Sequence, residues 1–178
     1  ESVGTIPSPE WKKKMFVNDP TWRVGDTYFT GIGQYGMQVT VLQALREAAI
    51  IASDGAVVRP HLSFSAATST TQLDIPAKYF TVAQEGMRRA VTIGTTLPLN
   101  IPGVKIAAKT GTAELGVTKV RVNSWVIGFF PYDHPKYAFA FVMDRGVKGN
   151  TTNATYVAAK IFRWMGSSTP EYFESEEK

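Results

Sequence analysis

A chain of 178 residues, 44% hydrophobic and 19% charged, is long enough to bury a sizeable core as one domain and too apolar to be disordered. Its 19 basic and 15 acidic side chains leave a formal charge of +4. That is too mild and too dispersed for a nucleic-acid surface, and the longest basic run, Lys12-Lys13-Lys14, reads as a solvated turn. The absence of cysteine excludes zinc–thiolate sites, disulfide frameworks and cysteine nucleophiles.

The longest apolar runs, such as 137–143, fall far short of a membrane span. Glu1-Ser2-Val3-Gly4 shows no signal peptide and no initiator methionine, so the chain reads as a piece of a longer one. His61 and His134 stand apart in sequence with no carboxylates at ligand spacing, and no metal or other cofactor is expected.

In chain order, Pro7, Pro9 and Pro20 predict an irregular arm over 1–30, with Trp11, Phe16 and Trp22 as anchors for packing. Gly31-Ile32-Gly33-Gln34-Tyr35-Gly36 is a turn-rich junction. Val41, Leu42, Leu45, Ala48, Ala49 and Ala52 predict a helix over 40–53, stopped by Asp54-Gly55. A short extended segment follows at 56–60, then a polar loop or hairpin over 63–71. A second helix is predicted over 77–92, with Phe80, Ala83, Met87, Ala90 and Val91 on one face.

Three strands come next, at 104–112, 123–130 and 136–144, with a long loop over 114–122. Tyr132-Asp133-His134-Pro135 suits an antiparallel connection. Trp125, Phe129 and Phe130 read as core rather than as a groove. A last helix over 152–165 carries Ala154, Val157, Ala158, Ile161 and Trp164 as its stripe, and 167–178 is expected to fray. Helices before and after an antiparallel sheet make an α+β pattern. Three strands form a thin sheet for so many helices, and an edge needs covering.

The first of these strands carries the chemistry. Val104, Ile106 and Ala108 alternate with Lys105, Ala107 and Lys109, and the strand runs into Lys109-Thr110-Gly111-Thr112-Ala113. Lys109 with Thr110 and Thr112 offers one charge and two hydroxyls to an anion such as a carboxylate. Gly111, lacking a Cβ, permits close approach to the backbone. The plain alternative is a strand end with a turn glycine.

This element resembles the Lys-Thr-Gly motif of the penicillin-recognising serine enzymes. Gly4-Thr5-Ile6-Pro7-Ser8-Pro9-Glu10-Trp11-Lys12, Gly25-Asp26-Thr27, Gly31-Ile32-Gly33-Gln34 and Val39-Thr40, then Asn123-Ser124-Trp125-Val126-Ile127-Gly128, follow in the order of class B penicillin-binding proteins. The Pro-x-x-Glu-Trp-Lys and Gly-Asp-Thr elements are most similar to the elongation-type members.

The resemblance implies a β-lactamase/transpeptidase-like fold and a D,D-transpeptidase that cross-links peptidoglycan by serine acyl transfer on D-Ala-D-Ala stem peptides, with β-lactam antibiotics as inhibitors. It implies catalytic roles for Lys109 and Thr112, the Thr112 N–H serving as half of an oxyanion hole. Thr110, Gly111 and Thr112 would bind substrate. It also implies a location outside the cytoplasmic membrane, an anchoring segment not in this chain, and a membrane-embedded glycan polymerase as partner.

Two motifs of the family are not in place. Ser175-Glu176-Glu177-Lys178 fits Ser-x-x-Lys only by chance, after the strand, and Ser53-Asp54-Gly55 and Thr151-Thr152-Asn153 are a helix stop and a helix cap rather than Ser-x-Asn. The chain is therefore expected to be the C-terminal portion of a transpeptidase domain. A complementary N-terminal portion would carry the nucleophile, and the isolated segment would be inactive.

A non-catalytic or sensor-type penicillin-binding domain is the alternative. A nucleotide site is more remote. Gly103 to Thr110 matches a P-loop except at Ala108, but the residues between alternate as a strand and Gly111 falls where a helix should start.

Overall fold

The computed structural model describes residues 2–173. Residues up to Thr40 form one compact unit and residues from Val41 a second.

The first unit is not irregular. It holds helices α1 (Pro9–Met15) and α2 (Val24–Gly31). Pro9 starts α1 instead of breaking it, because a proline in the first turn gives up an N–H that has no helical partner anyway. Ser8 caps the helix, its Oγ accepting from Trp11 N–H at 3.2 Å. The expected anchors pack within the unit itself, Trp11, Phe16 and Trp22 all lying within 6.0 Å of the Tyr35 ring centroid.

Nor is the basic run wholly solvated. Lys12 is buried and its Nζ donates to Asp26 Oδ2 at 2.7 Å, the same oxygen that accepts Arg23 N–H at 2.7 Å. These bonds hold the Asp26 carboxyl below the usual carboxylate range, the Lys12 bond contributing most. A lowered folded value means that the stabilisation is complete above about pH 4, the ordinary aspartate value, and is lost as pH falls through the lower folded value. Asp26→Asn should therefore lower the urea midpoint at neutral pH, and the gap to the parent should close on acidification. A gap unchanged from pH 7 to pH 3 would reject the assignment.

The second unit opens with α3 (Val41–Ala52). Asp54 and Gly55 stop it as expected, with φ of 53° and 97°. A Cβ on Gly55 would also lie 2.8 Å from the Phe80 ring, so both backbone and packing require glycine. The extended segment after it is β1 (Ala56–Val58), which pairs antiparallel with β2 (Thr70–Gln72), and the polar stretch between them is a hairpin connection. Helix α4 (Ala77–Ile93) buries Phe80, Met87 and Val91 on the predicted face.

The main sheet has the order β3 (Ala107–Leu115), β4 (Arg121–Phe130), β5 (Tyr137–Val147), all antiparallel. Its strands differ from the predicted ones at their ends. β3 begins three residues later than expected, after a turn in which Gly103 takes φ 87°. The predicted loop 114–122 contracts, because the hairpin turns within 116–120, where Gly116 and Lys119 adopt positive φ. β5 outruns Asp144 because the register shifts between Val122 and Ser124. There Asn123 Oδ1 accepts the N–H of Arg145, whose φ is 54°. A Cβ on Gly128 would lie 2.2 Å from the Ala107 carbonyl oxygen and 2.6 Å from the Phe139 ring, so the strands close on one another there.

The sheet is covered on both faces. On one, Ala108, Val126 and Phe139 pack with Ala154, Ala158, Ala159 and Phe162 of α5 (Ala154–Ser168). On the other, Ala107 and Phe129 pack with Met87 of α4 and with Ile51 and Ala52 of α3.

The buried stripe of α5 is rotated from the predicted one: Trp164 is 60% exposed, while Phe162, unmarked by the stripe, is 2% exposed. Three alanines let the helix lie close to the sheet, and Phe162 fills the space beside them. The tail does not fray from 167. Thr169 N–H donates to Met165 O at 2.7 Å, and Phe173 is buried against Phe130. The fortuitous Ser175–Lys178 match lies outside the described residues. No helix among them is long and apolar enough to cross a membrane.

Candidate active site

β3 ends the three-strand order, so one of its edges faces away from β4. Successive side chains of a strand point to opposite faces. The Lys-Thr-Gly-Thr sequence is therefore split in space. Thr110 and Thr112 lie on the face that α5 covers, in register with Val126 and Ser124. Lys109 and Gly111 lie on the other, opposite Ile127 and Trp125. Only at the strand's edge can one ligand meet all four. The continuous strand from Ala107 to Leu115 also excludes a P-loop, which needs a helix to start near Thr110.

Lys109 is exposed and its Nζ donates to Thr110 O at 2.6 Å. It has no ion-pair partner among the described residues, so its charge is available to an incoming group. Thr110 Oγ1 lies 3.0 Å from Thr95 Oγ1, beyond the end of α4, which fixes its rotamer. Arg88 of α4 donates to Ile106 O at 2.8 Å, tying the helix to the approach of β3. A Cβ at Gly111 would lie 3.3 Å from Trp125 Cβ, so packing against β4 demands a small residue there as much as any ligand does.

Behind Thr110 and Thr112 lies a cavity of about 320 Å³. Besides the motif, its lining includes Thr95, Ser124, Met143, Lys148, Asn150, Asn153 and Thr155. The N-terminus of α5 enters it: Asn153 Oδ1 accepts Tyr156 N–H at 3.0 Å, and Ser124 Oγ accepts Ala154 N–H at 3.0 Å. Thr151-Thr152-Asn153 is thus a helix cap as expected, supplied by Asn153. Sequence reasoning missed Thr95, Ser124 and Lys148. Each comes from a different part of the chain (Thr95 after α4, Ser124 in β4, Lys148 after β5), and folding brings them to one cavity with Thr110. Ser53, His61 and His134 are exposed and none of them lines this cavity.

An antiparallel sheet between helices, with a Lys-Thr-Gly strand at its edge and a hydroxyl-lined cavity behind it, defines the class of penicillin-recognising folds. Residues 2–164 match the penicillin-binding protein transpeptidase domain, and the chain belongs to that family. It is 30% identical to the peptidoglycan D,D-transpeptidase MrdA of Escherichia coli K12 over 84% of its own length, spanning only 28% of that relative. It superposes on penicillin-binding protein 2 of Helicobacter pylori with a TM-score of 0.78 and 28% identity, covering 97% of this chain and 31% of that one. The imipenem acyl-enzyme complex of penicillin-binding protein A from Mycobacterium tuberculosis aligns with a TM-score of 0.65 and 28% identity, over 76% of this chain and 32% of that one.

Proposed function

We propose that these residues are the C-terminal portion of a D,D-transpeptidase domain that cross-links peptidoglycan stem peptides and is inhibited by β-lactams. The placement of Lys109, Thr110 and Thr112 at the free edge of β3 carries this reading. It is supported by a family match that takes in nearly the whole chain and by a structural neighbour that forms an acyl-enzyme with imipenem.

In this reading a serine from a complementary N-terminal portion, carrying Ser-x-x-Lys and Ser-x-Asn, attacks the carbonyl of the D-Ala-D-Ala bond. The tetrahedral oxyanion collapses, the terminal D-alanine leaves with a proton, and the amine of a second stem displaces the serine from the ester. The N–H of Thr112 is one donor to the oxyanion. The Thr110 and Thr112 hydroxyls donate to the substrate carboxylate. Lys109 holds positive potential beside the nucleophile, on the α3 and α4 face of the strand. The domain would work on the outer side of the cytoplasmic membrane, anchored by a segment outside these residues and partnered by a membrane-embedded glycan polymerase.

Fluorescent penicillin should label the complete domain and leave the 178 residues alone unlabelled. Thr112→Val should slow labelling by about tenfold, the worth of one hydrogen bond to a charged group, and should weaken recognition more than folding. A variant that melts early but labels at the parental rate would reverse the assignment.

A further inference from the structure

The cavity behind Thr110 and Thr112 lacks one thing that an anion pocket needs from the motif. Alternation along β3 sends Lys109 to the opposite face, so Lys-Thr-Gly-Thr supplies hydroxyls to the cavity and no charge. The charge comes from elsewhere. Lys148, on the turn between β5 and α5, is the one charged residue among the described residues of the lining. Building on the transpeptidase reading above, we propose that Lys148 is a specificity-determining residue: it selects ligands whose end bound at Thr110 and Thr112 is a carboxylate.

Three observations besides its position support the role. Lys148 is held in place. Its Nζ is hydrogen-bonded to Glu114, its N–H donates to Val120 O at 3.0 Å, and Lys119 pairs with the other Glu114 oxygen at 3.1 Å. Two ammonium groups thus share one carboxylate, which leaves a positive charge uncompensated at the rim. Glu114 lies outside the lining, and no acidic residue lines the cavity among the described residues. Finally, Thr155 in the first turn of the 15-residue α5 is 4% exposed, lines the cavity, and makes no side-chain hydrogen bond among the described residues. A threonine in the first turn of a helix, lining a cavity that Lys148 also lines, suits an anionic oxygen. Glu114 then acts through Lys148, and its own carboxyl is held below the usual range first by the Lys148 hydrogen bond.

The test uses the complete transpeptidase domain and two probes, benzylpenicillin and its methyl ester, which differ only in the charge at this end. The second-order acylation rate is measured for each. Lys148→Met should slow the acid by about tenfold, as expected for a lost charge-assisted hydrogen bond. The same variant should leave the ester within about twofold of the parent, since the ester carries no charge for Lys148 to select. Lys148→Arg should keep the preference for the acid. If the methionine variant does not fold, Lys148→Gln is read in the same way.

Equal slowing of acid and ester would assign Lys148 a purely structural role and overturn the inference, as would no slowing of either. In both cases slow labelling of Thr112→Val would leave the transpeptidase reading standing. A parent domain that neither probe acylates would overturn both.

Discussion

Phe162→Ala should cost about 3–5 kcal/mol, the range for removing a buried aromatic side chain from a packed core. Phe162 is 2% exposed, and its ring lies 4.9 Å from Phe139, 5.2 Å from Phe130 and 6.3 Å from Phe141 in centroid distance. It touches both β4 and β5 and, at 6.4 Å, Phe173 of the C-terminal turn. Alanine would leave a void bounded by the sheet on one side and a helix on the other, neither of which can close without moving α5. That movement would strain the bond from Ala154 N–H to Ser124 Oγ and so reach the cavity behind Thr112. Urea denaturation of the complete domain should show a lower midpoint at an unchanged slope. Phe162→Leu, which keeps most of the volume, should recover most of the loss. A midpoint equal to the parent's in the alanine variant would show that α5 is not held by this contact.

The legible and illegible parts of this fold divide by physical cause. α4 is readable to within a residue because Phe80, Met87 and Val91 are large, helically spaced and all buried. The stripe of α5 is misread because alanines dominate it. Small residues carry little hydrophobic signal, and a helix pressed close to a sheet is chosen for shape rather than for hydrophobicity. α1 is hidden by three prolines, yet a proline in the first turn is compatible with a helix and Ser8 is a regular cap. The tip of the β3–β4 hairpin is hidden because Glu114 and Arg121 interrupt the alternation. Those strand ends are held by side chains distant in sequence, with Lys148 on Glu114 and the Arg145 carbonyl accepting from Arg121.

The site divides in the same way. Lys109 to Ala113 is a contiguous motif and can be read directly. That its lysine and its threonines serve different faces follows from strand geometry once β3 is known to continue through them. Thr95, Ser124, Lys148 and Thr155 could not be found, since their only relation is proximity in the folded sheet.

Lys109→Ala should lower the acylation rate of the complete domain by about a hundredfold, or roughly 2.7 kcal/mol of transition-state stabilisation. The figure is typical of losing one preorganised donor beside a reacting centre. Stability should hardly change. The side chain is exposed, its one bond goes to the neighbouring Thr110 carbonyl, and it has no ion-pair partner among the described residues. A residue whose loss spares the fold but stops the chemistry is the expected signature of Lys109 on the α3 and α4 face of β3.

The face also sets which probes respond. If, as proposed, Lys148 and the two threonines hold one end of the ligand, their removal should penalise benzylpenicillin more than its methyl ester. In the proposed reading Lys109 acts at the reacting atoms, and its removal should slow both by the same factor. Lys109→Arg should restore little, because a planar guanidinium does not reproduce the compact point charge of an ammonium group. If Lys109→Ala instead slowed the acid alone, the lysine would belong to the carboxylate pocket and the two faces of the strand would not divide the work. A fall of less than tenfold for both probes (about 1.4 kcal/mol) would remove Lys109 from the catalytic set.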